Sequence, residues 1–314
     1  MRWKNYFQLI GVFLFVWIMF NVEWVQVIKT LLELEIIYLF GYVLSFFSMA
    51  FIRAIRLRIT LKNLGYYVSN TDCHIAIQEP SFLGLVTPGR LGEFTRVGYI
   101  NTHGVSVPKA LSIVIIERLI DASILLIISA GGIAYLFTPA TYNSIWWFVI
   151  IIGFVILFSL IKFYNYITTL LKTPIKLLTK WLPLFLKNHQ KNLANSFNLV
   201  VINAAMTIFF LGIVCTTLSI AQIYFLAKAF SFDADYLVVI FAYSVATLTS
   251  MLPISVGGLG TREAAYITIM GREGISTEQA LLFSLLDGIV FNCLLQLMLV
   301  APIWIYRSIR NKNE

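Results

Sequence analysis

The chain has 314 residues, of which 59% are apolar and only 12% charged, and its mean hydropathy is +0.85. A soluble domain carries about a quarter of its residues as charges, so this is the composition of a membrane protein. The formal charge of +8 does not point to nucleic acid, because the basic residues sit in short loops between long apolar runs.

A bilayer core about 30 Å thick is spanned by about 20 helical residues. In chain order, apolar spans are predicted over about 6–22 and 36–52, two more within 122–161, one over 192–227 and one over 279–306, the last carrying Asp287. The 122–161 tract is divided by a polar turn around Thr138, Pro139 and Asn143. The first span follows Arg2 and Lys4 as a signal peptide would, but no small-residue cleavage site follows Phe20, so it is kept as a span.

Two further apolar stretches, about 75–88 and 236–256, each run into a glycine-rich turn and a charged return segment, which predicts re-entrant hairpins. Non-helical backbone at membrane depth is tolerated only inside protein or along a polar cavity. Six spans and two hairpins, with both termini in the cytoplasm, place Arg2, Lys4, Arg53, Arg56, Arg58, Lys62, Lys109, the lysines of 162–191, Arg307, Arg310 and Lys312 inside. Only Lys29, Lys228 and Arg272 fall outside. The basic connector of about 165–195, with Lys172, Lys176 and Lys180 four apart, reads as an interfacial segment of positive-inside character, broken by Pro174 and Pro183. No other domain is expected within 1–314.

The chain also repeats itself. Thr87 to Gly92 aligns with Ser255 to Gly260, Glu93 with Glu263 after a two-residue gap, and the following stretch through Leu111 with that through Leu281. Identities are Gly89, Leu91, Gly92, Glu93, Gly104, Ser106, Ala110 and Leu111, and the same offset carries Glu117 onto Asp287. The copies span about 75–135 and 236–306, and an odd number of spans separates them. The second copy therefore enters the membrane from the opposite side, the inverted construction used by transporters that bind ligand near the midplane. A duplication kept for stability alone is the plain alternative.

The charged groups of the turns are the candidate functional residues. Gly89 and Gly92 free the first turn, and Arg90, Glu93 and Arg96 bring charge to membrane depth, where each costs roughly 2.5–3.5 kcal/mol at the bilayer centre. Glu93 and Arg96 are spaced to pair on a helix, which leaves Arg90 and the N–H groups of the following half-helix as an anion site, with phosphate the natural guest. Gly257, Gly258 and Gly260 precede Arg262 and Glu263 in the same manner. Internally satisfied Arg–Glu pairs with glycines for close packing are the competing reading. Glu117 and Asp121 share a helix face from which Arg118 points away. With Asp287 they fit either proton shuttling or neutralisation of Arg90 and Arg96, and the sequence does not decide between these.

Cys73, Cys215 and Cys293 lack pair spacing, and His74, His103 and His189 form no ligand cluster, so no disulfide, metal or cofactor is expected. No P-loop, catalytic elbow or HExxH is present.

Taken together, Thr87-Pro88-Gly89-Arg90-Leu91-Gly92-Glu93, Glu117-Arg118-Leu119-Ile120-Asp121-Ala122 and Gly257-Gly258-Leu259-Gly260-Thr261-Arg262-Glu263-Ala264-Ala265 resemble the lysylphosphatidylglycerol synthase transmembrane-region family of flippase-like membrane proteins. The resemblance covers nearly the whole chain. It implies a multi-pass plasma-membrane protein of a bacterial or archaeal cytoplasmic membrane, with paired re-entrant elements, related to the part of multiple-peptide-resistance proteins that moves aminoacylated phosphatidylglycerol outward. Other members are associated with glycolipid, polyprenyl-phosphate or hopanoid handling. The resemblance also implies that Arg90, Glu93, Glu117, Arg118, Arg262 and Glu263 are functional. The sequence ends at Glu314, so the family's soluble aminoacyl-transferase domain, and lysyl transfer with it, is not expected.

The resulting expectation is an all-α polytopic membrane protein that moves an anionic phospholipid or a lipid-linked headgroup between leaflets without enzymatic activity. Arg90 and Arg262 would bind the headgroup alternately from the two sides. A membrane enzyme, or an accessory partner of a glycosyltransferase or lipid-modifying enzyme, is the alternative.

Overall fold

The computed structural model describes residues 20, 23–85, 87, 89–137, 145–162, 190–232, 235–252 and 257–313. Among them the regular structure is helical: α1 (Trp24–Leu32), α2 (Ile36–Asn63), α3 (Asn70–Leu85), a 3-10 turn (Leu91–Thr95), α4 (Arg96–Asn101), α5 (Val107–Phe137), α6 (Ile145–Lys162), α7 (Gln190–Ala229), α8 (Tyr236–Met251), α9 (Thr261–Met270), α10 (Thr277–Leu285), a π-helical segment (Leu286–Phe291) and α11 (Asn292–Asn313). Among the described residues three stretches are long and apolar enough to cross a membrane: Ile36–Asn63, Asn195–Ala229 and Thr277–Ile305. The expected span over 6–22 and the basic connector's lysines and prolines lie outside the described residues.

Local chemistry sets the boundaries. Ser69 accepts the Asp72 N–H at 3.1 Å ahead of α3, so that helix starts several residues before the predicted 75. Asp235 accepts the Leu237 N–H at 2.9 Å at the start of α8. Ser276 and Gln279 form a reciprocal capping box at the start of α10. At the other end of α10 the helix widens into the π-helical segment. There the Asn292 amide donates to the backbone carbonyl of Asp287, supplying a partner where the helical ladder is disturbed.

The 31 residues of α5 and the 40 of α7 run about 46 and 60 Å at 1.5 Å per residue, longer than a bilayer core. The helix α2 packs mainly on α7, and α7 also lies along α5. These long helices thread two hydrophobic cores. One gathers Leu57, Leu61, Ile77, Ile100, Ile113 and Ile208 around the first hairpin. The other gathers Tyr42, Phe46, Ile223, Ala246, Tyr266 and Phe283 around the second. Each hairpin folds back on itself, α3 against the 3-10 turn and α8 against α9.

The two hairpins share backbone features at aligned positions. Gly89 and Gly257 have φ of 56° and 60°, Arg90 and Gly258 of 55° and 85°, and Gly104 and Gly274 of 82° and 78°. Arg90 thus holds a left-handed conformation that its counterpart reaches with glycine.

Candidate functional site

The two glycine turns meet. A Cβ on Gly257 would stand 2.5 Å from the Leu85 carbonyl oxygen at the end of α3, so the second turn touches the first hairpin backbone to backbone. Gly92 lies as tightly inside its own hairpin, where a Cβ would come within 2.4 Å of the Leu83 carbonyl. Beside this junction is a cavity of about 90 Å³, space for several water-sized groups at the roughly 10–15 Å³ that each needs.

Four guanidinium groups and three carboxylates line the cavity: Arg53 from α2, Arg90 and Glu93 from the first turn, Arg118 and Asp121 from α5, Arg262 from α9 and Asp287 from the π-helical segment. Neutral polar groups such as Ser81, Gln222, Tyr243, Asn292 and Gln296 complete it. Arg90 and Arg262, expected to act from opposite sides, therefore share one chamber, and Arg90, Glu93, Arg262 and Asp287 are brought together there.

The Glu93–Arg96 pair expected from helical spacing is present at 4.0 Å, but it is not the closest contact of either residue. Glu93 contacts Arg118 directly, while Arg90 lies at 3.8 Å and Arg96 at 4.0 Å. Arg118 thus turns toward the same chamber as Asp121, because α5 passes close enough to the turn for its long side chain to reach Glu93. Arg96 instead pairs with Glu117, and both are buried behind the cavity wall. Asp121 is held by Arg56 rather than by Arg90 or Arg96, with Nη1 at 2.7 Å and Nη2 at 3.0 Å from its two oxygens. Arg56 Nε also lies 3.5 Å from Glu117. A bidentate guanidinium–carboxylate contact of this kind is among the stronger charge-assisted hydrogen bonds.

In the second half, Arg262 pairs with Asp287, which also accepts the Tyr42 hydroxyl at 3.0 Å. Gly288, the counterpart of Arg118, leaves room for this: a Cβ there would sit 2.9 Å from Arg262 Cζ. Tyr266 occupies the position aligned with Arg96, and its ring lies 5.8 Å from Arg262 Cζ. Glu263 faces away from the chamber, accepting the Gly260 N–H at 2.6 Å and the Ser284 hydroxyl at 3.2 Å.

In the first turn the Gly92 N–H donates to the Thr87 hydroxyl at 2.7 Å and the Glu93 N–H to the Arg90 carbonyl at 3.1 Å. These two donors at the start of the half-helix are therefore met within the turn itself.

Several site residues escaped the sequence reading. Arg53 and Arg56 fall in the stretch that the positive-inside rule places in the cytoplasm, yet α2 stays helical through Asn63, with Arg56 buried and Arg53 lining the cavity. Tyr42, Gln78 and Gln296 are buried polar groups inside apolar helices, and a polar residue in an apolar helix is the sequence signal for such a site. Gln296 Nε2 donates to the Gln78 carbonyl at 2.9 Å and to Gln78 Oε1 at 2.7 Å, tying α11 to α3.

Long apolar helices around a buried, arginine-rich chamber define a helical membrane protein with an internal polar site. The family described as Lysylphosphatidylglycerol synthase TM region matches residues 8–296, and the chain belongs to that family. No curated protein and no solved structure matches it.

Proposed function

We propose that this protein is a flippase-like transporter of the plasma membrane that moves an anionic phospholipid, or a polyprenyl-phosphate or glycolipid headgroup, between leaflets. The observation that carries the reading is that both glycine turns deliver an arginine, Arg90 and Arg262, to one polar chamber in a membrane protein whose family takes its name from the membrane region of a phospholipid-modifying synthase. The acyl or prenyl chain stays in the bilayer, so only the headgroup needs a polar path. In this reading the chain crosses the membrane six times, both hairpins are re-entrant, and both termini are cytoplasmic. Glu117, Asp121 and Asp287 each hold an arginine, which supports neutralisation of buried charge over proton shuttling as their role.

The test is leaflet exchange in proteoliposomes with fluorescent phosphatidylglycerol, its aminoacylated form and a polyprenyl phosphate. The expected outcome is protein-dependent exchange of one of them, lost in Arg90→Ala while folding is retained. Exchange of none, with an enzyme co-purifying or product formed from an added donor, would establish the accessory or enzymatic alternative instead.

A further inference from the structure

The arginines of the chamber are not equivalent. Arg118 is engaged by Glu93 and Arg262 by Asp287. Asp121 could have served either Arg53 or Arg56, which are one helical turn apart on α2, but both of its oxygens are taken by Arg56. Arg53 is left half-buried at the cavity with no ion pair or hydrogen bond among the described residues. Arg90 has only Glu93, at 3.8 Å, a carboxylate already in contact with Arg118. Of the three lining carboxylates, Asp121 is committed to Arg56, which does not line the cavity, so the four lining guanidinium groups face only Glu93 and Asp287. A guanidinium without a counter-charge inside a membrane protein is costly, and such groups mark ligand paths.

We propose that Arg53 and Arg90 form a two-armed clamp for a single phosphate ester, with Arg118 and Arg262 held by their carboxylates. Arg53 is then a ligand-binding residue, supplied by a span rather than by either glycine turn. Its two guanidinium groups bring two positive charges, enough for a phosphodiester, which has one negative charge, or a phosphomonoester, which carries about two at neutral pH. The proposal rests on the transporter reading only for the use of the site, not for its chemistry.

The experiment is calorimetric titration of the purified full-length protein at neutral pH with short-chain phosphatidylglycerol, with glycerophosphoglycerol as the free diester, and with glycerol 3-phosphate and inorganic phosphate as the more highly charged probes. The expected result is binding of these phosphate probes, weakened about tenfold or more in Arg53→Gln and largely retained in Arg53→Lys. Arg58→Gln, an exposed position on the same helix, serves as the control and binds as the wild type does. Binding of short-chain lipid but not of glycerophosphoglycerol would show that the clamp needs the tail, and with it a lipid source. Unchanged binding in Arg53→Gln, or binding of none of the probes, overturns the clamp. Leaflet exchange of the same variants separates the two readings: Arg53-dependent binding without exchange keeps the clamp and removes the transporter, whereas exchange unaffected by Arg53→Gln does the reverse.

Discussion

Arg56 grips Asp121 through both carboxylate oxygens, at 2.7 and 3.0 Å, across 65 residues of sequence. Its side chain is 4% exposed and that of Asp121 22%, so the arginine of this ion pair is cut off from water while the carboxylate reaches the cavity. Replacing Arg56 with Met takes the bidentate partner from Asp121 and the second arginine from Glu117, which keeps Arg96. The expected destabilisation is about 3–5 kcal/mol, with much of it recovered in the double variant Arg56→Met/Asp121→Leu. Thermal unfolding of the detergent-solubilised protein reads both. Equal loss in single and double variants would show that the pair is not the stabilising unit.

The glycines of the first hairpin differ in what surrounds them. At Gly92 a Cβ would meet the Leu83 backbone at 2.4 Å, whereas Gly98, exposed in α4, has nothing within 4 Å. Gly92→Ala is expected to cost about 2–3 kcal/mol, since backbone cannot yield as a side-chain tip can. Gly98→Ala is expected to be neutral or to add about 0.5–1 kcal/mol through helix propensity. Retention of a monodisperse gel-filtration peak after graded heating compares the two.

Two buried tyrosines give opposite expectations for the same substitution. The Tyr42 hydroxyl donates to Asp287, while the Tyr266 hydroxyl is buried with no partner among the described residues. Tyr42→Phe therefore removes a hydrogen bond to a charged group and should cost about 1.5–3 kcal/mol. Tyr266→Phe loses no bond and should leave the unfolding temperature unchanged or raise it. A drop in Tyr266→Phe as large as in Tyr42→Phe would mean that its hydroxyl is bonded after all.

Gln296 and Gln78 tie α11 to α3 through two hydrogen bonds, at 2.7 and 2.9 Å, across 218 residues of sequence. Side-chain hydrogen bonds between membrane helices are worth about 0.6 kcal/mol on average and about 1.7 at most. A double-mutant cycle of Gln296→Leu and Gln78→Leu, followed by thermal unfolding, is expected to return a coupling in that range. No coupling would reduce the contact to incidental packing.

Much of the framework was legible in order along the chain. The spans over 36–52, 192–227 and 279–306 each lie within helices long and apolar enough to cross a membrane. The 122–161 tract is carried by α5 and α6, on either side of the proposed turn. The glycine turns ending α3 and preceding α9 stand where the motif placed them. The wiring of the charges was less legible. Helical spacing pairs Glu93 with Arg96, and they stand 4.0 Å apart, but the tertiary approach of α5 brings Arg118 closer to Glu93 and Glu117 closer to Arg96.

Membrane residence, helical class and the two glycine–arginine turns were determined by the sequence itself, because hydropathy, capping and glycine's freedom act over a few residues. Which arginine takes which carboxylate was decided only by the tertiary structure, because the partners come from helices 21 to 65 residues apart and compete for the same few oxygens. In low dielectric a carboxylate goes to the arginine that packing brings within reach, whatever its distance in sequence. For the same reason Arg53, which local sequence assigns to the cytoplasmic loop, stands at the chamber with no ion pair among the described residues.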